Sequence, residues 1–157
     1  MMIPSMRLCR AVTAALKAAE LFQAVARTEY GRDWKMLIGF DGQKTDWEKQ
    51  APCAVIAPWQ SESQGVKRAY SVSLTLAVVD SNIVEEDGVR VLHGLAVLDE
   101  QAWPAAWAAL QDALPGSEPL AALEEPSLAI SQEHSPLLLL HAGLGIEVNL
   151  PIGDRRL

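Results

Sequence analysis

Three histidines are the side chains in this sequence best suited to metal binding or proton transfer, namely His93, His134 and His141. His134 and His141 lie on either side of Pro136, so a turn at this proline could bring their rings together. No histidine has a second ligand at helical spacing, and no cysteine lies nearby in the sequence. The pattern therefore favours ordinary histidines, and we expect no metal site and no cofactor.

Acidic clusters are the second place to look for chemistry. Glu85, Glu86 and Asp87 are consecutive and precede Gly88, but the spacing of a calcium-binding loop is absent, so a solvated loop is favoured over a cation site. Asp41, Asp46 and Glu48 could act as a general acid and base. Acidic loop residues are too common for this pattern to indicate catalysis.

Nucleophile and nucleotide motifs are missing from the sequence. There is no G-x-S-x-G elbow, no P-loop, and only a bare G-x-G at Gly143 and Gly145. Cys9 has basic neighbours that could activate a thiol, but its position on an apolar stripe favours burial. We therefore expect a protein that is not an enzyme, although a dispersed site around His134, His141 and the acidic loops stays open as an alternative.

The composition indicates one globular domain spanning residues 1–157, with a frayed tail at about 153–157. The net charge of -7 disfavours a dedicated nucleic-acid binder. Residues 1–35 carry six basic and three acidic side chains, a net charge of +3, whereas residues 36–157 carry seven and seventeen, a net charge of -10. Two distant cysteines predict reduced core thiols, and no signal peptide or membrane span is indicated.

Hydrophobic periodicity predicts helices over residues 5–29 and 103–114. It predicts strands at 37–40, 53–57, 66–80, 127–132, 137–140 and 144–152, and the strand at 66–80 alternates most clearly. Residues 82–88 and 115–126 are expected to be loops, and 89–98 fits either strand or helix. Because strands follow strands directly, the sequence predicts an α+β fold, a mostly antiparallel sheet with two main helices packed on one face.

Surfaces for binding another protein are predicted from charge, aromatic residues and the two long strands. A basic helix and an acidic body could form complementary patches, and tryptophans in loops could anchor an interface. The candidate interface residues are Arg10, Lys17, Arg27, Trp47, Trp59, Ser71, Ser73, Thr75, Glu147 and Asn149. We expect the strands at 66–80 and 142–152 to provide the assembly surface.

The order of elements resembles that of a known family. An amphipathic helix is followed by the proline-bracketed strand from Pro52 to Pro58, the long alternating strand from Arg68 to Val79, one helix and a closing pair of strands. This order is similar to that of the tail terminator and minor tail proteins of long-tailed bacteriophages, which also occur in prophages.

The resemblance implies a structural protein that forms a homohexameric ring, caps the tail tube and joins it to the head. Its partners would be copies of itself and other tail or head-joining proteins, with no membrane and no sequence-specific nucleic acid. It would be made in the bacterial cytoplasm and carried in the virion tail. The alternative is a small cytosolic protein-binding or immunity-type module without catalytic activity.

Overall fold

The fold was analysed in a computed structural model of the chain, which describes residues 4–39, 46–64, 67–113, 121–134 and 136–149. The predicted α+β class is confirmed. The order of elements is α1 (Pro4–Ala18), α2 (Glu20–Tyr30), β1 (Lys35–Ile38), α3 (Trp47–Gln50), β2 (Cys53–Gln64), β3 (Lys67–Val79), β4 (Ile83–Glu86), β5 (Val89–Leu92), α4 (His93–Ala96), a π-helical segment (Val97–Ala102), α5 (Trp103–Ala113), β6 (Ala121–Ile130) and β7 (Leu137–Asn149).

Five of the strands form one mixed sheet in the order β1-β2-β3-β7-β6. Strand β1 pairs with β2 in parallel, and the other three pairings are antiparallel. Strands β4 and β5 form a separate two-stranded hairpin. The long strands β3 and β7 pair with each other at the centre of the sheet, so the free edges belong to β1 and β6. Neither long strand has a free edge among the described residues, and the prediction that these strands provide the assembly surface stays a prediction.

The main core lies between one face of the sheet and helices α1, α2 and α5. Period-two alternation places Val72, Leu74, Leu76 and Val78 of β3 on this face, all of them fully buried. A smaller cluster on the opposite face joins Cys53, Val55, Ala77 and Leu137, with Trp47 of α3 packed against it. The two free cysteines thus lie in different clusters on opposite faces of the sheet, as the prediction of reduced core thiols requires.

The predicted helix at 5–29 is two helices, because the chain leaves helical geometry at Ala19, where ψ is 102°. The side-chain amide of Gln23 donates to the carbonyls of Leu16 and Lys17, at 3.2 and 3.5 Å, and so satisfies groups freed at the end of α1. Its Oε1 accepts a 2.8 Å bond from the backbone N–H of Trp34. One buried amide therefore stabilises both the break and the return of the chain toward β1.

The segment at 89–98 contains both of the structures that the pattern allowed. Strand β5 ends at Leu92, and helix begins at once with α4, continuing through the π-helical segment into α5. Pro104 in the first turn of α5 has no N–H to donate to the carbonyl of Glu100, and a wider turn just before it accommodates this loss. Helical structure therefore begins at His93, ten residues before the predicted start at Trp103.

Both expected loops contain strands. Residues 83–92 form the β4–β5 hairpin, with a two-residue turn at Asp87 and Gly88, whose φ angles are 51° and 80°. Such left-handed angles are typical of the turn that joins twisted antiparallel strands, and Asp-Gly is one of its preferred sequences. In the second expected loop, residues 121–126 belong to β6. The predicted frayed tail at 153–157 lies outside the described residues.

Candidate functional site

The outer face of helix α1 is basic. Arg7, Arg10 and Lys17 are exposed, and α1 contains no acidic residue. At 100° per residue these three side chains and the exposed Ala14 lie within one sector of the helix. None of the three cations has an ion pair within the described part of the chain. We call Arg7, Arg10, Ala14 and Lys17 the basic helix face; it contains two of the predicted interface residues.

Arg27, the third cation among the predicted interface residues, forms ion pairs with two acidic residues of the same chain. Its guanidinium group donates to Glu20 at 2.8 Å and to Asp33 at 2.6 Å. The same hydrogen bond from Arg27 lowers the pKa of the Glu20 carboxyl. Arg27 therefore joins the start of α2 to the turn after its end, and its charge is balanced locally.

The polar face of β3 is less open than its hydroxyl side chains suggest. Ser71 is buried, whereas Ser73 and Thr75 are half-buried. Thr75 Oγ1 lies 2.9 Å from Nδ1 of the exposed His141, its neighbour on β7. Glu147 and Asn149 belong to β7, where their backbones pair with β3 at Ala69 and Lys67. The structure thus brings part of the predicted set together on two central strands.

The tryptophans mainly pack within the fold. Trp34 is buried and stacks on Phe22, with ring centroids 5.0 Å apart. Trp103 and Trp107 stack on each other at 5.6 Å, as expected for residues on one helix face. Trp47 is half-buried against the smaller cluster and contacts the ring of His134. Trp59 belongs to β2, and its predicted place at an interface stays a prediction. The interpretation of Trp34 and Trp47 as packing residues is favoured.

His134 and His141 do not form a shared site. The ring of His141 contacts Thr75, whereas that of His134 contacts Trp47. Across the described residues, no group of three or more histidine, cysteine or acidic side chains is placed to hold a metal ion. Burial raises the pKa of the Cys53 thiol to about 11 and also raises that of Cys9, which is fully buried. Neither thiol is activated.

An open cavity of about 500 Å³ lies near the end of the sheet. It is lined by Tyr30, Arg32, Glu48, Ala51, Pro52 and Val79. Arg32 donates to the backbone carbonyl of Glu48 at 3.3 Å, so its guanidinium group helps to fix α3 at this rim. The lining contains no nucleophile with an adjacent base, and an acyl- or phosphoryl-transfer site is not assembled there.

A polar cluster at the base of the hairpin was not found from the sequence. Tyr30 donates through its hydroxyl to Asp80 at 2.8 Å, and Glu29 lies 2.9 Å from Nε2 of His93. Asp80 is only 5% exposed and also accepts the backbone N–H of Asn82 at 2.8 Å. This polar cluster joins the end of α2 to both ends of the β4–β5 hairpin, because Asp80 precedes β4 and His93 follows β5.

Gly94 allows this arrangement to pack closely. A Cβ atom at this position would lie 2.6 Å from a methyl group of Leu138 and 3.0 Å from the Cβ of Asp80. The first turn of α4 therefore contacts the sheet through backbone, beside the polar cluster. This close packing holds the base of the hairpin against the body, and the hydrogen bonds of the polar cluster position the hairpin.

The β4–β5 hairpin extends from this base into solvent, and residues 83–90 are all exposed. Its register places Val84, Glu86, Val89 and Val91 on one face, which we call the valine face. Val84 is 41% and Val89 61% exposed. Leu92, on the opposite face, packs on the main core. Ile83, also on the opposite face, is 56% exposed, so both faces have uncovered apolar side chains, and the valine face has the larger number of them.

The ion pair at the base of the hairpin predicts a pH-dependent stability. The hydrogen bond to Glu29 raises the pKa of His93 above its ordinary value of 6.5. Protonated His93 therefore stabilises the fold fully below that value, and this contribution is lost as pH rises through the raised pKa. We expect the urea concentration at the unfolding midpoint of the wild type to fall as the pH rises from 6.5 through the raised pKa of His93. In Glu29→Gln this concentration should fall less.

The matched control for this prediction is His141→Gln, because His141 is an exposed histidine bonded to a threonine and not to a carboxylate. This variant should keep the wild-type pH profile. Equal pH profiles for the wild type and Glu29→Gln would show that the Glu29–His93 pair does not contribute.

Comparison with known proteins gives no match: no protein-family profile and no curated protein sequence is significantly similar to this chain. No helix in the described ranges is both long and apolar enough to cross a membrane. Function must therefore be argued from the surfaces, among which the valine face and the basic helix face stand out.

Proposed function

We propose that this chain is a structural assembly protein, a phage or prophage tail terminator that forms a ring, caps the tail tube and joins it to the head. The observation that carries the proposal is the exposed β4–β5 hairpin with its valine face. A two-stranded hairpin is marginally stable alone in water, and exposed apolar side chains on a protruding element are typical of a docking surface. The order of elements that resembles tail terminators supplies the specific function.

A ring needs two unlike surfaces on each subunit, because each copy contacts its neighbours in a head-to-tail manner. The described residues offer several unlike surfaces. Besides the hairpin there is the basic helix face, and there is the unpaired edge of β6, beside which Leu128 is 41% and Ile130 44% exposed. An exposed apolar edge strand invites pairing with another chain unless a partner covers it. These surfaces support a protein that works by association.

The charge distribution supports the same function. Residues 36–157 carry a net charge of -10. An acidic wall repels DNA phosphates, so a ring with such a lumen would let DNA pass without binding it. In this proposal the subunits assemble in the bacterial cytoplasm and remain in the virion tail.

Native mass spectrometry and light scattering over a wide range of protein concentration test the proposal. We expect a closed ring, a hexamer as in the family that the chain resembles, and retention of this ring on tail-tube protein from the same genome. Tube protein of an unrelated phage is the control. A strict monomer at all concentrations that ignores the cognate tube protein would contradict the proposal and favour a monomeric binding module.

A further inference from the structure

We propose that the valine face of the hairpin of one copy packs on the basic helix face of the next copy. The inference rests on the self-assembly proposed above and names the two surfaces that form the repeated contact. In a single copy both surfaces are exposed, so they do not cover each other. A contact between different surfaces of successive copies is head-to-tail, which is the geometry that closes into a ring.

The two surfaces carry opposite charge. Glu85 and Arg90 lie opposite each other on the other face of the hairpin and their charges balance, so the net charge of -2 of residues 83–92 comes from Glu86 on the valine face and Asp87 in the turn. Helix α1 has three cations and no acid, a net charge of +3. Copies of a protein with net charge -7 repel one another on average. Association is therefore favoured where unlike patches meet, and α1 is the element with the largest net positive charge.

The surfaces also match in length and in apolar character. A strand rises more than twice as far per residue as a helix does. The four-residue strands of the hairpin are therefore similar in length to the stretch of α1 from Arg7 to Lys17. The exposed Ala14 lies between the cations, and its short side chain leaves an apolar surface there that the valines could cover. Glu86, on the valine face, would then lie among the arginine and lysine side chains.

The unpaired edge of β6 is a poorer site for the hairpin, because the described side chains of this strand, at 126–130, include no cation that could meet the acids of the hairpin. Nucleic acid is a competing ligand for the basic helix face, but it would leave the valine face uncovered. A second copy satisfies both surfaces in one contact.

Two charge-reversed variants and their mixture test this contact. Glu86→Lys combined with Asp87→Asn changes the hairpin from -2 to +1, and asparagine tolerates the left-handed backbone at that position. Arg10→Glu combined with Lys17→Glu changes α1 from +3 to -1. Each variant alone should bind itself at least about tenfold more weakly than the wild type, because like charges then face each other.

Mixing the two variants should restore assembly, since each altered surface then meets an opposite charge on the other variant. Native mass spectrometry should show equal numbers of both variants in every restored ring, as alternation requires. Asp112→Lys combined with Lys49→Glu is the matched control, because both residues are exposed and lie outside the two surfaces. The control should assemble like the wild type, and all variants should keep the wild-type circular dichroism and melting temperature.

The outcomes separate this contact from the proposed function. If both variants form the wild-type ring alone, or if folded variants lose assembly and the mixture does not restore it, the contact is overturned while the ring stands. If the mixture restores a dimer or an open filament, the contact stands and the terminator function is overturned. A monomeric wild type overturns both. If nuclease treatment dissolves the assembly, nucleic acid is the ligand of the basic helix face, and the contact between copies is overturned.

Discussion

Replacing Trp34 by alanine is expected to lower the free energy of unfolding by about 3–5 kcal/mol, the range for removing a large buried aromatic side chain. Trp34 is 3% exposed and stacks on Phe22 with an angle of only 7° between the rings. Its Nε1 donates to the carbonyl of Phe22 at 2.9 Å. The substitution would open a cavity and remove one of the two hydrogen bonds that this carbonyl accepts, the other coming from the helical N–H of Ala26. Urea denaturation followed by circular dichroism measures the loss.

Two further variants separate the contributions of Trp34. Trp34→Phe keeps a stacked ring and removes the indole donor, so we expect a smaller loss of about 0.5–1.5 kcal/mol from the lost hydrogen bond. Leu21→Ala, at a leucine that is 79% exposed, should change stability by less than about 0.5 kcal/mol. An alanine variant of Trp34 as stable as the Leu21 variant would refute the assignment of Trp34 to the core.

Replacing Asp80 by alanine is expected to cost about 1–3 kcal/mol, because it removes the shared acceptor of two partly buried donors. These donors are the Tyr30 hydroxyl and the backbone N–H of Asn82. The hydroxyl of Tyr30 should also titrate far above its ordinary range, since burial and the Asp80 carboxylate both raise its pKa. Urea denaturation at neutral pH measures the cost.

A double-mutant cycle isolates the bond between Tyr30 and Asp80. Tyr30→Phe should be destabilising alone and nearly neutral in the Asp80→Ala background, with a coupling energy of about 1–2 kcal/mol. Asp112→Ala, at an exposed acid, is the control and should change little. Purely additive losses would mean that the two side chains do not stabilise each other.

The strands that the sequence predicted best are the central ones. Val72, Leu74, Leu76 and Val78 alternate with small polar residues, and this periodicity identifies β3 because one face must be buried. The periodicity does not specify the partner strand. Pairing of β3 with β7 depends on contacts between distant residues, and so the positions of the sheet edges, and with them the exposed surfaces, could not be predicted.

Local signals failed where tertiary contacts decide the backbone. The break at Ala19 has neither glycine nor proline, and it depends on Gln23, whose amide bonds are visible only in the folded chain. The hairpin did have a signal, the Asp87-Gly88 turn, but the run of acids favoured a loop. The polar cluster had none, because Tyr30 and Asp80 are 50 residues apart and Glu29 and His93 are 64 apart.

The place of β7 in the sheet has a consequence for synthesis of the chain. The residues that β3 and β7 pair are 82 apart at one end of the ladder, Lys67 with Asn149, and 58 apart at the other, Val79 with Leu137. During translation, the edge of β3 that faces β7 therefore stays unpaired until β7 has left the ribosome. Pairing of such long range forms slowly, and an exposed edge promotes aggregation. Truncation within β7 should consequently impair soluble expression more than any change at the start of α1.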